Sequence, residues 1–248
     1  MGHVAQELGQ ASLSETIPVV ILCGGRGTRL AEQTDTTPKP MVEIGGRPIL
    51  WHIMKHYSHY GHDEFILALG YRGEQIRRYF TDCDEPWRIQ LVDTGADTLT
   101  GGRLKCLEPL INGKMFMMTY GDGVGPINIP DLLAFHRSHG GLVTLTAVRP
   151  PARFGALEFD GDRIRHFKEK STLHEAWING GFFVIEPAAL QYIMGDVMWE
   201  HGPMERLAET GQLYAYKHEG FWQCMDTLRD LRYLEATWAG GSAPWKIW

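Results

Sequence analysis

Cysteine is scarce in this chain. Only Cys23, Cys83, Cys106 and Cys224 occur among 248 residues, and no two form a CxxC pair. A zinc ribbon, a dithiol redox motif and a disulfide-built scaffold are therefore excluded, and a reducing, cytoplasmic setting is expected. No apolar run nears the roughly 20 residues of a spanning helix, so no membrane partner is expected. Positive charge is also short: 24 Lys and Arg face 30 Asp and Glu, a formal net charge of −6. That leaves no overall basic field for nucleic acid. Repeats, low-complexity tracts and linkers are missing as well. Residues 1–16 lack the basic and apolar regions of a secretory signal, and Gln6 stands where a myristoylation motif needs Ser or Thr. They read as a polar N-terminal extension.

What is present is an ordinary globular composition, 44% hydrophobic and 22% charged. Residues 17–248 read as one domain. The continuous apolar run Ile17–Leu22, closed by glycines, has the pattern of a buried parallel strand. Further strands are predicted at 65–70, 88–92, 115–120, 142–148 and 177–185. Helices are predicted at 48–60, around 76–80, and at 104–110, 131–139, 203–210 and 227–238. Residues 156–167 read as a hairpin turning at Asp160-Gly161. The alternation predicts an α/β fold with a mixed, mostly parallel sheet between helices, a nucleotide-binding front half at about 17–150 and a mixed back half at 151–248.

The most informative stretch is Leu22–Met41, LCGGRGTRLAEQTDTTPKPM. Glycines directly after a first strand let main-chain N–H groups approach a phosphate. Arg29 adds a forked cation and Lys39 a compact one. Leu30 breaks the GxGxxG spelling, and no GxxxxGK[ST] occurs, so neither a dinucleotide nor a Walker loop is present. Taken alone, the stretch reads equally as a glycine-rich turn carrying two solvated cations.

Other candidates carry the same ambiguity. Asp122 follows the strand at 115–120, where α/β sheets build their sites, yet it also suits a turn. Asp226 reads unaided as the N-cap of the last helix. Thr100 reads as a cap for a glycine-rich helix start that could also receive an anion or a base edge. Glu169-Lys170 reads as a solvated edge. His52 and His56 stand i, i+4 on a helix, but HIMKH lacks the glutamate of HExxH, so a partly exposed helix face is expected rather than zinc. The eight tryptophans are core or subunit-interface material. Cys23, beside the loop, is a candidate for alkylation.

The string GxGTRL followed by PKPM resembles the signature of the nucleoside-diphosphate-sugar pyrophosphorylases. MVEIGGRPILWHIMKHY, DTGADTLTGGRL, TYGDGV, RFGALE, INGGFFV and GFWQCMDTLRD resemble, block by block, the glucose-1-phosphate cytidylyltransferases of that sugar nucleotidyltransferase family. The resemblance runs from Ile17 to Trp248. It implies a Rossmann-like three-layer fold of the glycosyltransferase-A type. It also implies a Mg²⁺-dependent reaction of CTP with α-D-glucose 1-phosphate to give CDP-glucose and pyrophosphate. Implied nucleotide contacts are Leu22, Cys23, Gly24, Gly25, Arg26, Gly27, Thr28, Arg29, Lys39, Thr100, Gly101, Arg103, Lys105 and Asp122. Arg29 would neutralise the departing phosphates, and Lys39 would bridge the α-phosphate and the incoming one. Asp122 and Asp226 would hold the metal. Gly155, Glu169, Lys170, Asn179 and Gly180 would meet the sugar phosphate, and a homo-oligomer is expected.

The chain departs from the family in three places. It has the extension before Ile17. Only TDCDEP separates Phe80 from Trp87, where a longer insertion is expected to shape base choice and subunit contacts. Ser171 replaces the proline after Glu-Lys. The same chemistry on another nucleotide or another sugar 1-phosphate, and a non-catalytic nucleotide-sugar-binding regulator, are the alternatives.

Overall fold

A computed structural model describes residues 16–27, 36–151, 156–168 and 176–248. The strands, in chain order, are β1 (Val19–Leu22), β2 (Glu43–Ile44), β3 (Arg47–Pro48), β4 (Glu64–Leu69), β5 (Arg88–Asp93), β6 (Phe116–Tyr120), β7 (Gly123–Val124), β8 (Val143–Val148), β9 (Ala156–Asp160), β10 (Arg163–Lys168), β11 (Ile178–Ile185), β12 (Leu213–His218) and β13 (Gln223–Cys224). The helices are α1 (Ile49–His59), α2 (Gly73–Thr81), α3 (Thr100–Ile111), α4 (Ile129–His139), α5 (Pro203–Glu209) and α6 (Leu228–Ala239).

Seven strands form one sheet in the order β12-β8-β11-β6-β1-β4-β5. Every neighbouring pair is parallel except those of β11, which runs antiparallel to both β6 and β8. The order places β1 well inside the sheet, and its register explains its unbroken apolar run. Val19 and Ile21 join one core layer, with residues of α1, α2, α4 and α6. Val20 and Leu22 join the other, with Leu104 and Leu107 of α3 and Leu207 of α5. Both faces of the strand are buried, so both must be apolar. This is the three-layer, mostly parallel arrangement expected.

Several local expectations are corrected. The hairpin pairs Asp160 with Arg163, so its two-residue turn is Gly161-Asp162 rather than Asp160-Gly161. Gly161 takes the positive φ of +59° that the turn requires. β12 falls outside the expected strands, because an edge strand with no buried residue carries little apolar signal. His52 and His56 are not on a partly exposed face: both are buried, His52 with Nε2 2.8 Å from the Ile44 carbonyl and its ring edge-on to Trp51 and Trp238. The N-cap of α6 is Thr227, whose hydroxyl accepts from the Asp230 N–H while the Asp230 carboxylate accepts from the Thr227 N–H. Asp226 is thereby released from capping.

Candidate active site

The loops at the C-terminal ends of β1 and β6 open onto a cavity of about 460 Å³. Leu22, Cys23, Gly24, Gly25 and Gly27 form one wall, and Lys39, Gly121 and Asp122 another. Pro40, Thr98, Leu99, Thr100, Arg103, Tyr120 and Met198 complete the lining. A site at the carboxyl edge of a parallel sheet is where this architecture gathers loops.

Lys39 begins a short 3-10 turn, Lys39–Met41, and is buried. Its Nζ lies 2.6 Å from Asp122 Oδ2 and 2.5 Å from Asp226 Oδ1. Burial alone would lower its pKa, but the two carboxylates outweigh that and hold it above the usual lysine value. The carboxylates, far apart in the chain, are brought together by the β7–β13 ribbon. Cys224 pairs with Gly123, and the Met225 N–H donates to the Asp122 carbonyl at 2.9 Å. Beside them the Cys224 thiol is pushed up to about 12, first by burial and then by Asp226. Two hard oxygen donors converging on one cation position match the chemistry magnesium needs. Among the described residues no cluster of three or more His, Cys, Asp or Glu could hold a metal, so substrate or water would have to supply the remaining ligands.

Arg103 lines the cavity, but its guanidinium serves the protein backbone. It donates to the carbonyls of Leu69 (2.9 Å), Gly95 (2.8 Å), Gly24 (3.1 Å) and Ala96 (3.3 Å), and to Thr94 Oγ1 (2.6 Å). It thus ties the loops after β1, β4 and β5 into one rim. Gly24 and Gly70 are required here, since a Cβ at either would lie 2.1 Å or 2.5 Å from that guanidinium.

The start of α3 is not an open anion site. The Asp196 carboxylate accepts from the Leu99 N–H at 2.9 Å, and the Val197 carbonyl from the Gly101 N–H at 2.9 Å. The cap residue is Leu99, not Thr100. Thr100 instead donates its hydroxyl to Glu200 Oε2 at 2.7 Å and accepts from the Trp199 N–H at 2.8 Å. Tyr120 donates to Glu200 Oε1 and receives Asn179 Nδ2 at 3.4 Å.

Of the remaining sequence candidates, Lys105 lies away from the cavity, paired at 2.8 Å with Glu108 on the exposed side of α3. Arg26 forms an exposed pair with Asp97 at 2.7 Å. Gly180 offers its carbonyl to Trp222 Nε1 at 2.9 Å. Cys23 is fully buried, its Sγ 3.5 Å from the Ile21 carbonyl and its pKa driven far up by burial, so the expected reactivity toward alkylation is corrected. Thr28, Arg29, Gly155, Glu169 and Lys170 lie outside the described residues. Sequence reasoning missed Tyr120, although it stands in the TYGDGV string, and missed Met198 and Glu200, which no motif marks.

Comparison with known proteins bears on this geometry. The model of the nucleotidyl transferase family matches residues 18–231. A glucose-1-phosphate cytidylyltransferase of Salmonella typhi is 47% identical, over 92% of this chain and 98% of the relative. A probable glucose-1-phosphate cytidylyltransferase of Bacillus subtilis (strain 168) is 41% identical, over 92% of this chain and 99% of the relative. The crystal structure of HddC from Yersinia pseudotuberculosis superposes with a TM-score of 0.71 at 23% identity, over 90% of this chain and 99% of that one.

Proposed function

Because the chain belongs to the nucleotidyl transferase family, among the glucose-1-phosphate cytidylyltransferases, we propose that it joins CTP to α-D-glucose 1-phosphate, giving CDP-glucose and pyrophosphate. A phosphate oxygen of the sugar phosphate attacks the α-phosphorus of the nucleotide. The new P–O bond forms as the bond to the β-phosphate oxygen breaks, and pyrophosphate carries away the displaced charge. Such transfers ask for positioning and charge stabilisation more than for covalent work by the protein.

The observation that carries the reading is the convergence of Asp122 and Asp226 on Lys39, with Lys39 and Asp122 both lining the cavity. With a pKa above the usual lysine value, Lys39 keeps its ammonium through the neutral range and presents it where phosphates gather. Main-chain N–H groups of Gly24 and Gly25 supply donors that cost no side-chain ordering. Arg29 neutralises the departing phosphates. Asp122 and Asp226 would hold a magnesium ion, which when bound offsets phosphate charge. These local cations let an acidic chain gather two anionic substrates. Contact with the sugar phosphate is assigned to Gly155, Glu169, Lys170, Asn179 and Gly180. The working form is a cytoplasmic homo-oligomer. Among the described residues no helix is long and apolar enough to cross a membrane.

The test is pyrophosphate release with Mg²⁺ and glucose 1-phosphate across CTP, UTP, dTTP, GTP and ATP. Strong preference for CTP supports the reading. Turnover with a different nucleotide keeps the chemistry and moves the base. Silence with all five, repeated with other sugar 1-phosphates, favours a binding protein without catalysis.

A further inference from the structure

We infer that Glu200 is a positioning residue that fixes the span between the nucleotide and sugar sides of the cavity, an inference that rests on the transferase reading above. Its two carboxylate oxygens have different partners. Oε2 accepts the Thr100 hydroxyl at 2.7 Å, and Oε1 accepts the Tyr120 hydroxyl. Thr100 and Tyr120 both line the cavity, yet they come from separate elements, the start of α3 and the end of β6. Tyr120 in turn receives Asn179 Nδ2 at 3.4 Å, and Asn179 Oδ1 accepts the Gly181 N–H at 2.8 Å, which sets the direction of its amide. One carboxylate therefore connects a wall residue near the phosphate loop to a residue at the start of β11.

The segment that carries Glu200 is itself anchored. Asp196 accepts the N–H of the cap residue Leu99, Val197 accepts those of Gly101 and Gly102 in the first turn of α3, the Trp199 N–H donates to Thr100, and Trp199 is fully buried. A side chain held so firmly at its base can set distances in the groups it touches. The chemistry also explains why the residue is a carboxylate. Two hydroxyl groups both donate to it, and only a carboxylate accepts at both ends. A glutamine accepts at one end and must donate at the other, where the hydroxyl oxygen already accepts an N–H from Trp199 or Asn179, so that leg of the clamp is reversed and loses its charge. A close packing constraint surrounds the same group: Gly181 has φ of +80°, and a Cβ there would lie 2.7 Å from the Tyr120 ring, so this residue must be glycine for Tyr120 to stay seated.

The test compares wild type, E200Q and E200A by steady-state kinetics with both substrates varied, alongside circular dichroism and thermal unfolding. For E200Q the expected result is a folded protein whose kcat/KM falls about tenfold or more, the size of one lost charge-assisted hydrogen bond. Both KM values should rise together, because the clamp serves both sides. A purely structural role would lower the melting temperature and leave kcat and both KM values of the folded fraction within about twofold; that result overturns the inference. A cycle of Thr100→Val and Tyr120→Phe keeps it testable if Glu200 variants do not fold. With Glu200 present, the two effects should combine to less than their product, since either change breaks the same connection. Independent, multiplicative effects overturn the role. Absence of turnover in wild type itself overturns the transferase reading, and this role with it.

Discussion

Lys39 Nζ sits 2.5 Å from Asp226 Oδ1 while the same ammonium touches Asp122, so one lysine is shared by the two carboxylates that the β7–β13 ribbon brings together. A compact cation at that point stands where a divalent ion would compete for the same oxygens. Lys39→Met should therefore lower turnover by about a hundredfold or more, the usual size of a lost charge-stabilising group. In the absence of nucleotide the variant should also bind Mn²⁺ more tightly than wild type, counted from the free-ion signal by electron paramagnetic resonance. Equal Mn²⁺ affinity in the two proteins would show that the carboxylates are not the seat of the ion.

Asp122→Ala and Asp226→Ala should each abolish turnover with the far-ultraviolet spectrum unchanged. Asp226→Ala should also cost about 1–3 kcal/mol of stability, because Lys39 is buried and loses one of two charged partners. Urea unfolding measures that cost, and normal turnover in both variants would remove them from the site.

Arg103→Lys should destabilise by at least about 2 kcal/mol in urea. An ammonium cannot serve carbonyls on three loops at once as the planar fork does. Activity should fall along with stability, since Gly24, whose carbonyl Arg103 holds, lines the cavity.

His52 and His56 carry a pH dependence. Burial, the main cause, lowers each pKa to about 4 from an ordinary value near 6.5. The folded state thus binds fewer protons than the unfolded chain between those values. Their contribution to stability is present above about pH 6.5 and is lost progressively as pH falls toward 4, by at most about 1.4 kcal/mol per pH unit for each group. Urea midpoints at pH 7.5, 6 and 5 should decline accordingly, and His56→Phe should flatten the decline.

Thiol labelling of the native protein should reach exposed Cys106 first and leave Cys23 untouched until the chain unfolds. Mass spectrometry of iodoacetamide-treated protein reads the order directly, and early modification of Cys23 would contradict its burial.

The central sheet was legible because buried parallel strands write themselves as unbroken apolar runs, and β1, β4 and β6 do so. Asp122 was legible for a related reason, its place just past such a run. Asp226 was ambiguous because it precedes a helix and is itself a good capping residue. The discriminating signal was one position away: Asp230 stands three residues after Thr227, the spacing of a capping box, whereas Arg229 stands three after Asp226. The resemblance implied Arg103 as a nucleotide contact, and nothing in its glycine-rich helix start marked a bond to the backbone. The carbonyls it holds, after β1, β4 and β5, become its neighbours only when the sheet closes. Glu200 was invisible for the same reason, with partners 80 and 100 residues away.

The reversal of β11 has an outcome for how this site can diversify. Each parallel strand presents its outgoing loop to the rim, whereas a strand running the other way presents its incoming one. Asn179, at the start of β11, is therefore carried to the same edge as Tyr120 at the end of β6, whose hydroxyl accepts its amide at 3.4 Å. An antiparallel neighbour thus adds a side chain beside the outgoing loops of β1 and β6 that those loops do not themselves encode. Its sequence can vary while Lys39, Asp122 and Asp226 keep their places.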